Sequence, residues 1–234
     1  MARKVSFSLV VCLLFIFSVY SVRAQECFGV AIREGGGFEM ANFDSKGKPT
    51  GTLKYKFASV KQEGGSTVVG IELESLSAKG KTEYTQKFSM KCDGNQALVD
   101  AASLIMEDQQ KSFESFNMTF ESNDIVYPNS LSVGQTLPEA SLKGKGDMTG
   151  IPILFDMKVT DRKVASQEKI TVGAGEFNAY KVVSSVQMTT KTIANITIGV
   201  ETVSYRAPGV LWDIKSETYR KGKLVSRSEL SKIY

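Results

Sequence analysis

The stretch DRKVASQEKITVGAGEFNAYKVV, residues 161–183, decides the fold. Val164, Ile170 and Val172 lead into Gly173-Ala174-Gly175, and Phe177, Tyr180, Val182 and Val183 lead out. β-Branched and aromatic flanks suit strands. Two glycines around one small residue supply the positive φ of a tight reversal. The stretch reads as strand, turn, strand with one further kink inside, which is a hairpin of a large antiparallel sheet.

The alternation continues outward on both sides. Segments 192–205, 210–219 and 224–233 read as strands, divided by Ala207-Pro208-Gly209 and Lys221-Gly222-Lys223. Before the hairpin, 151–160, 140–145 and the Phe116, Met118, Phe120 run read the same way. Segments 38–43, 51–60, 67–76 and 82–92 form a meander with polar turns, at a spacing usual for all-β folds. The connection 123–138 carries Tyr127-Pro128 and Pro138, which discourage helix, and is read as irregular.

One segment breaks the rhythm. In 93–111, Leu98, Ala101, Ala102 and Ile105 fall at i, i+3, i+4 and i+7, with Met106 beside them. That spacing predicts one amphipathic helix. The expected fold is therefore mainly β: a large curved antiparallel sheet or partly open β-barrel with one amphipathic helix. No linker composition divides the chain, so 25–234 is expected to be a single domain, with sub-halves meeting near residue 123.

The beginning of the chain reads differently. Arg3 and Lys4 precede an apolar run over 5–20, and Val22-Arg23-Ala24 presents small residues before Gln25. This predicts a cleaved signal peptide over 1–24. The run is shorter than the roughly 20 residues a membrane span needs. Lipid anchoring through Cys27 is disfavoured by Glu26 just before it. Loss of Arg3, Lys4 and Arg23 would leave 26 basic against 25 acidic residues, a net charge of +1. Little then remains of a nucleic-acid footprint. Cys12 leaves with the signal. Cys27 and Cys92 are expected to form a disulfide in an oxidising compartment. A redox or metal pair is the alternative, set against their wide spacing and the lack of a C-x-x-C.

The second half resembles the TapB-like family of exported envelope proteins, related to the domain of unknown function numbered 3108. The residues that carry this are Tyr127-Pro128, Val133-Gly134-Gln135-Thr136-Leu137-Pro138, Arg162-Lys163-Val164, Glu168-Lys169-Ile170, the run from Ala174 to Val182, Tyr205-Arg206-Ala207-Pro208-Gly209-Val210 and Leu224-Val225-Ser226. Cys27, the strand before Asp44-Ser45-Lys46-Gly47-Lys48 and Cys92 fit as well. Trp212 after the Ala-Pro-Gly turn and Glu176 in place of a common Thr depart from the pattern. The resemblance implies a secreted or periplasmic β-rich domain without an established activity.

Chemistry is sparse. The chain has no histidine, which removes Ser-His-Asp and Cys-His nucleophile systems and most zinc sites. Glu107 and Asp108 are neighbours on the expected helix and point apart. Asp156 and Asp161 are an odd number of residues apart and fall on opposite faces of a regular strand. Asp44, Ser45 and Gly47 start a calcium-loop pattern that lacks its later ligands and closing Glu, so a plain turn is expected. Neither Gly35-Gly36-Gly37 nor Gly173-Ala174-Gly175 leads into the Lys-Ser/Thr and helix of a phosphate loop. Asn117-Met118-Thr119 and Asn195-Ile196-Thr197 match the glycan acceptor pattern, a coincidence if the source is bacterial, as the resemblance implies.

The expected function is non-enzymatic: an exported protein, secreted or periplasmic, that binds an apolar small molecule or an envelope protein. No cofactor, no metal and no nucleic acid are expected, and no integral membrane span after signal removal. The expected apolar-ligand face pairs Leu98, Ala101, Ala102, Ile105 and Met106 on a helical lid with Phe155, Met157 and Trp212. The rivals are an assembly module that docks through its sheet and, remotely, a carboxylate-based hydrolase.

Overall fold

The computed structural model describes residues 25–27, 29–104 and 116–234. The deciding hairpin is present. Strand β11 (Ile151–Val172) pairs antiparallel with β12 (Gly175–Lys191), and Val172 faces Gly175 across the turn. Only one of the two glycines has the left-handed backbone: Gly175, at φ 133°. Gly173 instead sits close against β15: a Cβ there would lie 3.2 Å from the Ser231 Cα. The kink falls at Asp161, φ 53°, where the register shifts, so 151–172 is one bent strand.

The remaining strands follow from the same alternation. They are β1 (Gln25–Cys27), β2 (Val30–Ile32), β3 (Gly37–Asp44), β4 (Pro49–Glu63), β5 (Ser66–Ser77), β6 (Thr82–Cys92), β7 (Gln96–Asp100), β8 (Thr119–Ser122), β9 (Asp124–Pro128), β10 (Ala140–Met148), β13 (Asn195–Arg206), β14 (Asp213–Arg220) and β15 (Lys223–Ile233). β1 and β2 pair with each other. The other 13 form one antiparallel sheet, in the order β8-β10-β11-β12-β13-β14-β15-β3-β4-β5-β6-β7-β9. Two meanders are thus joined where β15 pairs β3.

The sheet nearly closes into a barrel. Its two edge strands, β8 and β9, are consecutive in the chain and meet at Asn123. Asn123 spans the seam: its N–H donates to the Ser141 carbonyl at 3.1 Å and its Nδ2 to the Glu139 carbonyl at 3.3 Å. Asn123 is thus the closure point of the sheet.

Two expectations need correction. Residues 96–100 are strand β7, and Ala101–Leu104 is a single 3-10 turn. Leu98 therefore sits mid-strand and half-exposed, while Ala97 and Val99 are buried on the other side. The helical spacing lost to pairing: β7 lies between β6 and β9, with Val99 opposite both Met90 and Ile125. Ile105 and Met106 lie outside the described residues, as do Glu107 and Asp108. The segment read as irregular contains β9, where Pro128 is tolerated because it ends an edge strand.

The inner face is densely filled at the end where Trp212 lies. Phe38 stacks on Tyr55 at 4.4 Å, and Trp212 lies 5.5 Å from Tyr55, 6.1 Å from Phe38 and 6.2 Å from Phe88. Met40, Ile71, Val69 and Met90 complete this region. Cys27 and Cys92 form a disulfide with Cα atoms 5.6 Å apart, fastening the β1–β2 pair to the end of β6.

Candidate functional site

Rows of side chains crossing β10 to β13 define the first candidate. Register places Leu142, Met157, Met188 and Ile198 in one row, and Gly144, Phe155, Thr190 and Ile196 in the next. Because cross-strand neighbours share a face, both rows look inward. Burial falls along them. Leu142 and Met157 are buried and Met188 is half-buried, but Ile198 is 38% and Ile196 62% exposed. Beyond them the hairpin turn presents Ile193 at 88% exposure. On the β8 side, Phe120 and Met118 lie across Gly144, where a Cβ would come within 2.7 Å of each. The result is an apolar face floored by Phe155, Met157 and Met188 that stays open towards β13.

This face holds two of the residues expected from sequence, Phe155 and Met157, with the 3-10 turn of Ala101 and Ala102 against its β8 and β10 side, but not Trp212. Trp212 precedes Asp213, opposite Arg206, which faces Tyr180. Phe155 faces Thr190. The two thus lie ten residues apart along β12, roughly 30 Å of strand. Ala101 is buried in the core and Ala102 packs against it from the 3-10 turn. Trp212 belongs to the filled end.

Sequence reasoning does not single out a second constellation. Arg162, only 2% exposed, stands 4.9 Å from the centre of the Tyr127 ring, and Arg206 stands 4.0 Å from it. Arg206 donates from Nη1 to Asp213 Oδ1 at 2.8 Å and from Nη2 to the Leu211 carbonyl at 3.2 Å. Ser204 Oγ donates to Asp213 Oδ2 at 2.7 Å. Arg162 Nη1 donates to the Pro138 carbonyl at 2.6 Å. Burial pushes the Tyr127 hydroxyl pKa up, with Asp213 adding to the rise and both guanidiniums opposing it. Burial likewise pulls Arg162 down from the usual arginine value. Residues 134–137 bind along the bulge in β11, with Gly134 N–H donating to the Val164 carbonyl and Leu137 N–H to the Arg162 carbonyl, both 2.8 Å. A cavity of about 200 Å³ adjoins, lined by Leu131, Tyr180, Arg206, Pro208 and Val210 among others.

Among the described residues, the carboxylates singled out from sequence do not assemble. Asp156 lies on the outer face in the row of Lys143 and Thr189, 4.0 Å from Lys158. Asp161 lies in the bulge, its carboxylate accepting from Thr160 Oγ1. Asp44 closes its turn by accepting from the Lys46 and Lys48 N–H groups, and the Lys48 bond is the chief cause that lowers its pKa.

The constellation around Tyr127 is built from the segments that carry the family pattern, and a family model matches residues 33–230, described as DUF3108-like. The chain belongs to the DUF3108-like family. No curated protein matches the sequence. Two crystal structures share the fold. One is a protein from Bacteroides fragilis assigned as exported, with a YmcC-like fold: 21% identity, TM-score 0.64, covering 86% of this chain and 96% of the other. The other is a protein from Parabacteroides distasonis assigned as a lipoprotein: 22% identity, TM-score 0.67, covering 90% and 100%. In this DUF3108-like chain, the shared pattern maps onto the clasp around Tyr127. The apolar end lies mostly outside those motifs, and register was the missing signal: only pairing puts Met188 and Ile198 beside Met157.

Proposed function

We propose that the chain is an exported, non-enzymatic protein that binds an apolar molecule along the inner face of β10 to β13. The observation that carries this reading is the exposure of Ile196 and Ile198 on the face that elsewhere forms the core. Uncovered aliphatics in line with a core mark binding surfaces more often than isolated exposed ones. Met188 and Met157 add adaptable side chains suited to a flexible hydrocarbon. Export rests on the signal pattern at the start of the chain and on the kind of protein the two structural neighbours are assigned to be.

The test is native mass spectrometry of the protein as recovered from cells, with titration of a fluorescent fatty acid. Bound lipid, or uptake that Ile198→Asp abolishes, supports the reading. Ligand-free protein with no uptake sinks it.

A second reading has its own support. Residues 195–200 of β13 pair only with β12, because β14 begins its pairing at Glu201. This uncharged free edge offers a place for a strand of another envelope protein. A stoichiometric partner recovered from envelope extract, and lost on Thr197→Pro, would favour it.

A further inference from the structure

The up-and-down topology puts alternate turns at opposite ends of the sheet, and the charges sort with them. At the end bearing Ile193, the turn 44–49 carries Lys46 and Lys48, and the turn 78–81 carries Lys79 and Lys81. The turn 220–223 carries Arg220, Lys221 and Lys223. Lys145, in β10 three residues before its end, and Lys191 flank the turns 148–151 and 191–195. These nine cations face three acids in or beside the same turns, Asp44, Glu83 and Asp147. Asp44 and Asp147 accept backbone N–H bonds that close their own turns. All nine are exposed, and among the described residues none forms an ion pair within 4 Å. The opposite end is the reverse. Its turns at 33–36, 63–66, 93–95, 129–139, 173–176 and 207–212 hold Arg33 against Glu34, Glu63, Asp93, Glu139 and Glu176. Among these described turns, the near-zero charge expected of the exported chain divides into a basic set at one end and an acidic set at the other.

We infer that the basic end docks on the surface of an anionic lipid bilayer, with Ile193 entering the headgroup layer. A ring of basic turns meets anionic headgroups, each Lys or Arg near such a surface being worth about 1 kcal/mol. Ile193 distinguishes a lipid surface from a soluble polyanion, because a polyanion offers an aliphatic side chain nothing. It is 88% exposed at the turn of a hairpin that runs past the paired part of β14. Depth is limited by the free edge of residues 195–200, whose outward N–H and C=O groups need water. The contact is therefore interfacial and salt-sensitive. The inference does not rest on the apolar-ligand proposal, since it concerns the outer turns and not the inner face.

Sedimentation of the protein as exported with phosphatidylcholine vesicles, with and without phosphatidylglycerol, tests it. Binding is expected only with phosphatidylglycerol, and falls with added salt. The triple change Arg220→Gln, Lys221→Gln, Lys223→Gln is expected to weaken it about a hundredfold. Ile193→Ser weakens it about tenfold, and Arg33→Gln at the other end changes nothing. These positions are exposed turns, and circular dichroism checks that each variant is folded. No binding to either vesicle, or equal binding to both, overturns the inference. So does loss on the triple change with no effect of Ile193→Ser and full displacement by dextran sulfate, which would mean that the rim reads charge alone. Vesicle binding with no fatty-acid uptake would support this inference and remove the ligand proposal; the converse result would do the opposite.

Discussion

At the Trp212 end, two guanidiniums are buried around Tyr127 and aromatic side chains are enclosed. At the Ile193 end, charge lies on the turns and aliphatic side chains meet solvent. One sheet spans both, so the difference comes from what each end must do. The first end holds the seam, the β1–β2 pair and the bent hairpin together; its polar groups are spent on each other. The second closes little, and its side chains remain available. The difference teaches that damage to the first end should appear as lost stability, and damage to the second as lost binding.

The largest expected effect is at Arg162. Arg162→Ala removes a buried cation from the Tyr127 ring and strips the Pro138 carbonyl of its donor. A loss of about 3–5 kcal/mol is expected, as for breaking a buried charged network. Urea unfolding measures it. A change below about 1 kcal/mol would mean that the clasp does not hold this end together.

The disulfide comes next. It joins residues 65 apart, and reduction should cost about 4 kcal/mol in the chain-entropy model. Unfolding with and without reductant reads it. Gly146→Ala tests the other end by overpacking. An added Cβ would meet the Phe116 carbonyl oxygen and the Met118 side chain, for a cost of about 1–3 kcal/mol.

Much of this contrast is legible in the sequence, and the limits are physical. The hairpin 161–183 announces itself because glycines and β-branched flanks act locally. Its bend at Asp161 and the close approach of Gly173 to Ser231 do not, since both depend on distant chain. The supposed helix fails for a related reason. In 96–101 the spacing of Leu98 and Ala101 satisfies one period while Ala97 and Val99 satisfy the other, and pairing with β6 and β9 decides. Tyr127, Arg162 and Arg206 are visible as parts of a family pattern. That two cations share one ring needs the three segments folded together. Phe155 and Met157 stand out for their apolar strand, whereas Ile196 and Ile198 read as strand without their face being known.

A pH series sharpens the contrast on the alkaline side. Burial, with Glu217 and Glu168 adding to it, raises the Tyr205 hydroxyl pKa from 10.0 to about 12. A raised folded-state pKa contributes stability that is full below the unfolded value and is lost as pH climbs through the folded one. The urea midpoint should therefore fall between pH 10 and about 12. In Tyr205→Phe that limb should be shallower, and an identical limb would remove Tyr205 from the account. Tyr127 shifts in the same direction through burial, so the clasp shares this sensitivity.

The smallest expected stability effect is the one that separates the two ends most sharply. Ile196→Ser removes a side chain already 62% exposed, so stability should move by no more than about 0.5 kcal/mol. The same change deletes apolar contact area from the open part of the inner face, and fatty-acid uptake should drop. If uptake holds while stability falls by more than about 1 kcal/mol, Ile196 is core like Met157. The apolar end would then be a second structural end, and the contrast between the two would collapse. If uptake falls at unchanged stability, Ile196 acts in binding and not in folding, and the open row is a ligand face distinct from the core.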